Sequence, residues 1–486
     1  MFSILHISDL HRSHDDPVDN DTLVAALLAD RDRYVGETPT VPSPEAIIVS
    51  GDLIKGALIG QIDWKQQVEN QYKVASSFLN DLAERFLNGD RGRLIIVPGN
   101  HDVCWNTSFA SMEPVPESEY PEDVRRALIE TSSNYRWSWK QLKLYRIRDT
   151  VAYNDRMNAY WNFVESFYES VPILKPIDRH RGFQLFDLHN GQIILAAFDS
   201  ISGNDCFAYS GSIDRATVAR SALDIRDILH SYSLRLAVWH HSIHGPPNHD
   251  DYMDDNRVRE MAGLGFQVGM HGHQHVADAT TQYVHLSENR SMGIIGAGSL
   301  CAGTRELPRG VNRQYNLVVI NDDLRTARVY VREISEGEQY SRKNNGAFSQ
   351  GYVELSWQEN RDVMGRTINA SEKNTRLAIQ QAEEALHMGN EPKALELLKD
   401  IELTSNSYAR KIVIEAARKL QDWEMLVATL TPPQSSDETI LLVTALIRIN
   451  DLEQATAILG RNCDIDSTVR KELEEQIKIK RVMRGK

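Results

Sequence analysis

The chain has little cysteine and no paired cysteine motif. Its four cysteines, Cys104, Cys206, Cys301 and Cys463, are scattered over 486 residues, and none belongs to a Cys-x-x-Cys pair. A zinc ribbon or a disulfide framework needs closely spaced or paired cysteines. The sequence therefore argues against both kinds of cysteine scaffold and predicts reduced thiols.

Long apolar runs are missing as well. No stretch approaches the length of apolar sequence that crosses a bilayer, and the first strand-like run begins at Phe2 without a leader before it. We therefore expect a cytoplasmic protein that makes no use of a membrane. A chain of 486 residues exceeds a typical single domain, so two domains are expected.

Positive charge is in short supply. The chain has 54 Lys and Arg against 68 Asp and Glu, which gives a formal net charge of −14. Coating nucleic acid by bulk electrostatics needs a basic surface, so that class of protein is disfavoured. The net charge does not exclude an enzyme that acts on nucleic acid. A metal pair and a local basic groove can supply positive charge within an acidic protein.

The chain does contain five polar clusters, each at the end of a strand-like apolar run. The central cluster is Gly99-Asn100-His101-Asp102, which taken alone would be explained by a tight turn. Similar clusters follow four other runs and contain Asp9 with His11, Asp52, His240 with His241, and His273 with His275. The carboxyl ends of strands in open α/β sheets meet at one crevice. Because Asp, Asn and His are ligands for divalent metals, the five ends together predict a metal site.

These clusters carry a family resemblance. In chain order they read Asp-x-His, Gly-Asp, Gly-Asn-His-Asp, His-His and Gly-His-x-His, which resembles the signature of the calcineurin-like metallophosphoesterases. The resemblance covers roughly the first two thirds of the chain. It implies an α/β fold with four layers, in which two mixed β-sheets form a sandwich flanked by helices.

The resemblance also implies a centre of two divalent metal ions. Manganese is expected, with iron or zinc as alternatives that the sequence does not rank. The implied ligands are Asp9, His11 and His275 for one metal, Asn100, His240 and His273 for the other, and Asp52 bridging both.

The same resemblance implies a mechanism. A hydroxide that bridges the metals would attack the phosphorus atom, and His101 would protonate the leaving oxygen. Asp102 is expected to orient the loop rather than to take part in catalysis. His240 is preferred to His241 as a ligand because it directly ends its strand.

Three further residues are candidate substrate contacts. Arg12 would either bind a substrate phosphate or hold its own loop through a carboxylate. His241 and His244 are favoured as loop or substrate contacts over additional metal ligands. Many relatives have proline where this chain has Ser242, which leaves the shape of that loop open.

A long insertion follows Asp102. Residues from about 103 to 180 interleave aromatic and basic side chains, and the periodicity of 153–168 predicts a helical cap whose rings are mostly core. The alternative is a platform over the metals that stacks bases and holds phosphates. Insertions after the third block often shape substrate access in this superfamily, so we expect this segment to determine substrate choice.

The composition changes after residue 335. We expect the metallophosphoesterase domain at 1–335, a polar linker at 336–369 and an all-α domain at 370–486. Three polar turns, near 388–390, 421–422 and 449–451, recur at about thirty residues and resemble degenerate tetratricopeptide-type repeats. Such a region would bind a protein partner or self-associate, with simple packing on the first domain as the alternative.

The resulting functional hypothesis is a phosphodiester hydrolase that acts on nucleic acid or nucleotides. The motif blocks and Phe198-Asp199-Ser200 look more like those of phosphodiesterases, repair nucleases among them, than those of phosphoprotein phosphatases. A cyclic-nucleotide phosphodiesterase is a near rival. A phosphoprotein phosphatase that recruits substrates through the repeats is the second alternative, and an inactive scaffold is disfavoured because His101 is intact.

Overall fold

The computed structural model describes residues 1–16, 18–129, 133–228, 232–243, 251–285, 290–303, 307–308, 310–334, 339–357, 378–379, 381–383, 385–386, 388–403, 407–433, 435–461 and 467–484.

The described residues form strands and helices in the following order along the chain. The strands are β1 (Phe2–Ile7), β2 (Ala46–Val49), β3 (Leu94–Ile96), β4 (Met112–Pro114), β5 (Tyr135–Ser138), β6 (Lys143–Ile147), β7 (Phe183–Leu188), β8 (Ile193–Phe198), β9 (Leu234–Val238), β10 (Val268–His271), β11 (Asp278–His285), β12 (Arg290–Gly296), β13 (Gln314–Ile320), β14 (Thr326–Ile334), β15 (Tyr340–Arg342) and β16 (Val353–Ser356). The α-helices are α1 (Asn20–Arg31), α2 (Trp64–Leu87), α3 (Trp105–Ala110), α4 (Val124–Ile129), α5 (Thr150–Asn154), α6 (Asn158–Phe167), α7 (Arg215–Asp227), α8 (Asn256–Gly263), α9 (Glu391–Leu398), α10 (Ser407–Leu420), α11 (Trp423–Leu430), α12 (Ser436–Arg448), α13 (Leu452–Arg461) and α14 (Ser467–Arg484).

Two mixed sheets carry the fold. The first sheet has the order β15-β14-β13-β1-β2-β3, with β16 also paired to β14, and its β1, β2 and β3 run parallel. The second sheet has the order β11-β12-β10-β9-β8-β7, and its four inner strands run parallel. All five strands that end in the polar clusters are among the parallel ones. Within each sheet, their carboxyl ends therefore lie at the same edge.

The sheets stack into the sandwich that the resemblance implied. In β8, Ile193 and Leu195 belong to the core between the sheets, whereas Ile194 and Ala196 belong to a separate core with residues of α7 and α8. Because successive side chains of a strand point to opposite faces, a strand covered on both sides is apolar throughout. The four-layer prediction is confirmed.

The insertion differs from the predicted helical cap. Residues 112–147 contain a small antiparallel sheet with the order β4-β6-β5, and only α3 to α6 around it are helical. Tyr160 and Phe163 of α6 are buried in the main core, where Phe163 stacks on Tyr72 of α2 at 5.2 Å between ring centroids. The helix predicted from the periodicity of 153–168 is present in α5 and α6, whereas the rest of the cap is not entirely helical, contrary to expectation. Its strands of three to five residues are too short to show a periodicity.

The predicted linker also contains part of the first sheet. Strands β15 and β16 pair with β14, and Tyr340, Leu355 and Trp357 are buried. The first domain thus extends beyond residue 335, to Trp357. Each of these short edge strands buries only one or two apolar residues, so the polar composition concealed them.

The C-terminal region is helical, as expected. At the three polar turns one residue has a left-handed backbone and the next caps the following helix. The pairs are Gly389-Asn390, Gln421-Asp422 and Asn450-Asp451. In each pair the amide of the capping residue donates to a carbonyl five residues earlier, at 2.8 to 2.9 Å. The same local geometry therefore recurs three times. No described helix combines the length and apolar composition needed to cross a membrane.

A buried ion pair attaches α1 to the first sheet. Arg332 of β14 is 1% exposed and donates to both carboxylate oxygens of Asp30, with Nε to Oδ2 at 2.8 Å and Nη2 to Oδ1 at 2.5 Å. Its Nη1 donates to Glu37 at 2.7 Å, and the Tyr315 hydroxyl donates to Asp30. Breaking such a pair leaves an uncompensated buried charge.

We predict that Asp30→Asn lowers the free energy of unfolding by about 3 kcal/mol, because it leaves the Arg332 charge buried without its main partner. Asp32→Asn is the matched control, since Asp32 is 70% exposed and its ion pair among the described residues is with Arg31 at 3.3 Å; we expect it to cost less than about 0.5 kcal/mol. Urea denaturation followed by tryptophan fluorescence compares the two. Equal midpoints would show that the buried pair does not hold the helix.

Candidate metal centre

The five polar clusters meet at the seam between the two sheets. Contacts cross the seam directly: Nδ1 of His240, after β9, donates to the Ser50 carbonyl after β2 at 2.8 Å. In the other direction the His273 amide, after β10, donates to Asp9 Oδ2 at 3.0 Å. The side chains at the seam are thus positioned by both sheets at once.

One group of donors consists of Asp9, His11 and His275. Nε2 of His11 lies 3.3 Å from Nε2 of His275, which is 3.3 Å from Asp9 Oδ1. The donor atoms of the three residues all lie within 4.8 Å of one another, an arrangement that could hold a metal ion.

The second group consists of Asn100, His240 and His273. The Asn100 Oδ1 atom lies 2.9 Å from His240 Nε2 and 3.1 Å from His273 Nδ1. Because His240 donates through Nδ1 to Ser50, its Nε2 atom is the one that faces these donors.

Asp52 lies between the two groups. Its Oδ2 atom is 3.3 Å from His240 Nε2 and 3.8 Å from His11 Nε2. Its Oδ1 atom accepts from the His101 amide at 2.8 Å. One carboxylate therefore reaches both groups of donors.

The chemistry of this donor set fits a pair of divalent ions. Asp9 is fully buried and Asp52 is 2% exposed, and burying carboxylates is costly unless positive charge compensates them. The Nε2 atoms of His11 and His275 lie 3.3 Å apart. The lone pairs of two nitrogens at this distance repel each other unless a proton or a cation lies between them. Mixed imidazole, carboxylate and amide ligands suit manganese, iron or zinc.

Most of these residues have an uncommon backbone. Non-glycine residues with positive φ are rare and concentrate at functional sites. Five of the seven candidate ligands have positive φ: Asp9, His11, Asp52, His273 and His275. The unusual backbone conformation directs these side chains toward the seam, and the flanking strands stabilise that conformation.

The buried charges perturb one another. Burial acts to raise the pKa of Asp9 and of Asp52, but the surrounding histidines keep both pKa values below the ordinary one. Burial lowers the pKa of His11 to about 4. Although burial also opposes the charge on His240, the Asp52 and Asp9 carboxylates raise its pKa to about 9.

His101 lies beside the donors, and one of its side-chain nitrogens is within 4.8 Å of donor atoms of both His11 and Asp52. Its Nδ1–H donates to the Lys55 carbonyl at 3.0 Å, which leaves Nε2 for a substrate, and its ring packs edge-on against His11 at 4.5 Å. Asp102 behaves as expected of a loop-orienting residue. It accepts from the amides of Gly99 at 2.9 Å and Leu53 at 3.2 Å. Burial and the nearby Asp52 raise the pKa of Asp102 to about 7.

Two candidate substrate contacts are contradicted by the structure. Arg12 is 1% exposed and holds its own loop, with Nη1 at 3.1 Å from Asp16 and Nη2 donating to Asn20 at 2.7 Å. His241 is fully buried, with Nδ1 hydrogen-bonded to Ser200 Oγ at 3.0 Å and Nε2 donating to the Tyr209 carbonyl at 3.1 Å. Both ring nitrogens of His241 are engaged within the protein. The Arg12 Nε atom has no hydrogen-bond partner among the described residues, but it is buried and therefore out of reach of a substrate. His244 lies outside the described residues.

Two further residues support the site, and the sequence analysis missed one of them, Asp251. Asp251 Oδ2 lies 3.4 Å from His273 Nε2, whereas Nδ1 of the same ring faces Asn100, so a carboxylate stands behind this candidate ligand. Ser200 Oγ accepts from the amides of His240 at 3.1 Å and His241 at 3.3 Å. Ser200 belongs to the Phe198-Asp199-Ser200 block of the sequence, whose resemblance does not indicate this role, and the sequence offers no signal for Asp251 beyond an acidic loop.

The sequence model of the calcineurin-like phosphoesterases matches residues 2–277, more than half of the chain. With the sandwich and the seam described above, this shows that the chain belongs to the calcineurin-like phosphoesterase family. No curated protein sequence matches the chain significantly.

Several solved structures are similar to the chain at low identity. A dimetal phosphatase from Danio rerio has 10% identity and a TM-score of 0.39, over 74% of this chain and 99% of that one. The calcineurin-like phosphoesterase YfkN from Bacillus subtilis has 11% identity and a TM-score of 0.31, over 80% and 98%. A 5'-nucleotidase from Candida albicans has 11% identity and a TM-score of 0.34, over 66% and 48%.

We predict that Gly99→Ala weakens metal binding by 10-fold or more, on the order of the loss caused by disturbing the support of metal ligands. A β-carbon at Gly99 would lie 2.2 Å from the Asp52 amide nitrogen and from its Oδ1 atom, so the carboxylate has to move. Gly36→Ala is the control, because a β-carbon there has no heavy atom within 4 Å. Equilibrium dialysis against manganese, with circular dichroism to verify folding, measures the effect. Equal affinities would mean that Asp52 is not held at the metal by this close packing.

We also predict that metal binding releases a proton. Metal-free His240, with a pKa of about 9, is protonated near neutral pH, and a ligand must be unprotonated to bind. The apparent affinity should therefore rise with pH from about 7 to 9 and level off above that range. Titration calorimetry in buffers of different ionisation enthalpy counts the protons released, and exposed His180 provides a control variant, His180→Ala, with unchanged release. Affinity that is independent of pH would contradict the charged state of His240.

Proposed function

We propose that the protein is a phosphodiester hydrolase that depends on two divalent metals and acts on nucleic acid or nucleotides. The observation that supports this most directly is the meeting of seven donor side chains at one seam, with His101 beside them. Family membership supports phosphoester hydrolysis, and the finer choice of a diester in nucleic acid is our proposal.

The proposed ligands follow the two groups of donors. Manganese is the proposed metal, with iron or zinc as alternatives. One ion would be held by Asp9, His11 and His275, the other by Asn100, His240 and His273, and Asp52 would bridge them.

The protein's own residues would orient the substrate and move one proton. When bound, the metals would supply positive charge for the phosphate and acidify water. Asp52 holds the His101 amide and Lys55 holds Nδ1 of its ring, so that Nε2 is the atom available to the leaving oxygen. A positioned imidazole that donates this proton contributes typically about 10² to 10⁴ in rate.

Exposed cations of the insertion support a nucleic-acid or nucleotide substrate. Lys140, Lys143 and Arg148 are exposed on and beside β6, on the small sheet that follows the His101 loop. Lysine and arginine on such a surface neutralise backbone phosphates. The net charge of −14 means that this attraction would be local rather than a property of the whole surface.

We further propose that the C-terminal helices form tetratricopeptide-like repeats that bind a protein partner or a second copy of the chain. The three turns with one recurring geometry support this proposal. Exposed apolar side chains at and near these turns, Met388 at 83% and Leu420 at 42%, would suit such a partner. The cytoplasmic location stays a prediction from the sequence.

We predict that His101→Ala lowers kcat for DNA or RNA hydrolysis about 10² to 10⁴-fold. The loss should be much smaller for bis-(p-nitrophenyl) phosphate, because p-nitrophenolate leaves without needing a proton. Asp52→Asn should abolish both activities, since it removes the carboxylate between the donor groups. The assay uses manganese with single- and double-stranded DNA, RNA, cyclic nucleotides and the small diester, and exposed His180→Ala is the matched control.

The outcomes separate the candidate substrates. Cleavage of cyclic nucleotides alone would favour the cyclic-nucleotide phosphodiesterase, and turnover of phosphoproteins alone would favour the phosphatase. An equal loss on all substrates in His101→Ala would remove the general-acid role. No metal-dependent turnover of any substrate would contradict the proposed function.

A further inference from the structure

Two aromatic side chains lie near His101, one next to its ring and the second next to the first. The centroid of the Trp105 ring, at the start of α3, lies 6.2 Å from that of the His101 ring. The Tyr209 ring, in the connection between β8 and α7, lies 5.9 Å from Trp105. We call Trp105 and Tyr209 the aromatic wall.

The wall is attached to the metal centre through the backbone. The Tyr209 carbonyl accepts from Nε2 of His241, the residue after the candidate ligand His240, at 3.1 Å. The Tyr209 hydroxyl donates to the Cys206 carbonyl at 2.9 Å. Trp105 packs against two hydrophobic cores at once. The wall therefore has a set position relative to the donors.

The wall nevertheless keeps aromatic surface available to solvent. Tyr209 is 43% exposed and Trp105 is half-buried. The Trp105 Nε1–H is buried and has no acceptor within the described part of the chain. Most other rings of this segment, such as Tyr160 and Phe163, are instead buried in the core. A solvent-accessible ring next to His101, the proposed proton donor, is placed to contact the leaving group that receives the proton.

The neighbouring surface is apolar as well. The loop after Lys55 exposes Leu58 at 75% and Ile62 completely. Asn106, next to Trp105, holds this loop: its Oδ1 accepts from the Gly60 amide at 2.8 Å, and its Nδ2 donates to the Leu58 carbonyl at 3.0 Å. The surroundings of His101 thus favour a flat, weakly charged leaving group.

We propose that the aromatic wall stacks the nucleobase of the leaving group, so that the group released at His101 is a nucleoside or the nucleoside end of a strand. This inference rests on the proposed function. In the step, an oxygen derived from water forms a bond to phosphorus, and the bond from phosphorus to the nucleoside oxygen breaks. The nucleoside oxygen keeps the electron pair of the broken bond and takes a proton from His101. The proton that water loses then protonates His101 again.

Dinucleotides that lack one base test the inference. Thymidylyl-thymidine is compared with two analogues in which a tetrahydrofuran abasic unit replaces the thymidine on one side or the other of the phosphate. Base stacking on aromatic rings predicts that removing the leaving-side base lowers kcat/KM by roughly 5- to 100-fold. Removing the other base should have a smaller effect.

The variants locate the effect. Trp105→Ala should abolish the preference for the leaving-side base, measured within each variant as the ratio of kcat/KM for the dinucleotide and its abasic analogue, and Trp105→Phe should retain most of the preference. Trp139→Ala is the control, because Trp139 is 79% exposed in the turn after β5 and does not contact His101. A preference that is absent in the wild type, or unchanged in Trp105→Ala, would overturn the inference.

Failure of the inference and failure of the proposed function give different results. Hydrolysis of bis-(p-nitrophenyl) phosphate without any hydrolysis of dinucleotides overturns the nucleoside leaving group and leaves the diesterase standing. Release of phosphate only from a phosphotyrosine peptide assigns the wall to a different aromatic group and also overturns it. If no ester is hydrolysed, titration calorimetry compares the affinities of thymidine 5'-phosphate and deoxyribose 5-phosphate. Equal affinities would refute base stacking on the aromatic wall.

Discussion

Two buried carboxylates and four imidazoles are crowded into one seam, and this crowding is the constraint on which the rest of the structure depends. Asp9 and Asp52 have histidines for neighbours, at 3.3 to 3.8 Å between side-chain nitrogen and oxygen atoms. Such a set is stable only with positive charge among the donors. Positive φ at five of the seven candidate ligands adds strain of order 1 kcal/mol or more at each. The site is therefore costly, and the scaffold has to hold it.

The scaffold does so with two sheets that continue to bond beyond their last regular residues. The Asp9 amide donates to the Gly51 carbonyl at 3.1 Å, and the His11 amide donates to the Asp52 carbonyl at 2.9 Å. Gly51 itself makes room, because a β-carbon there would lie 2.4 Å from His240 Nδ1, and its φ of +102° is one that other residues rarely adopt. At the opposite side of the first sheet the buried pair of Arg332 and Asp30 attaches α1. Rigidity away from the seam is what allows strain within it.

In the proposed function, substrate choice and catalysis depend on different parts of the chain. The donors lie at strand ends that the fold brings together. The aromatic wall and the apolar loop lie instead in the connections between strands. Trp105 follows the catalytic loop within three residues of Asp102, and Tyr209 lies on the connection that also positions His241. A change in these connections would alter what the site accepts without moving a donor, which is why loops on a rigid scaffold carry specificity.

The residues alone predicted five strand ends and the convergence of the polar clusters that follow them, and the family resemblance of those clusters implied the sandwich. This was possible because strand-end placement is a rule of topology and needs only the apolar runs that precede each cluster. Tertiary structure decided the rest. Arg12 and His241 were open as substrate contacts until packing showed that both side chains are buried and that Arg12 pairs with Asp16 of its own loop and with Asn20. Strands β4 to β6, β15 and β16 are too short for a periodic signal, and the position of Trp105 depends on how α3 leaves the loop. Patterns along the chain report local alternation and strand ends, whereas burial and the pairing of distant polar groups exist only once the chain is folded.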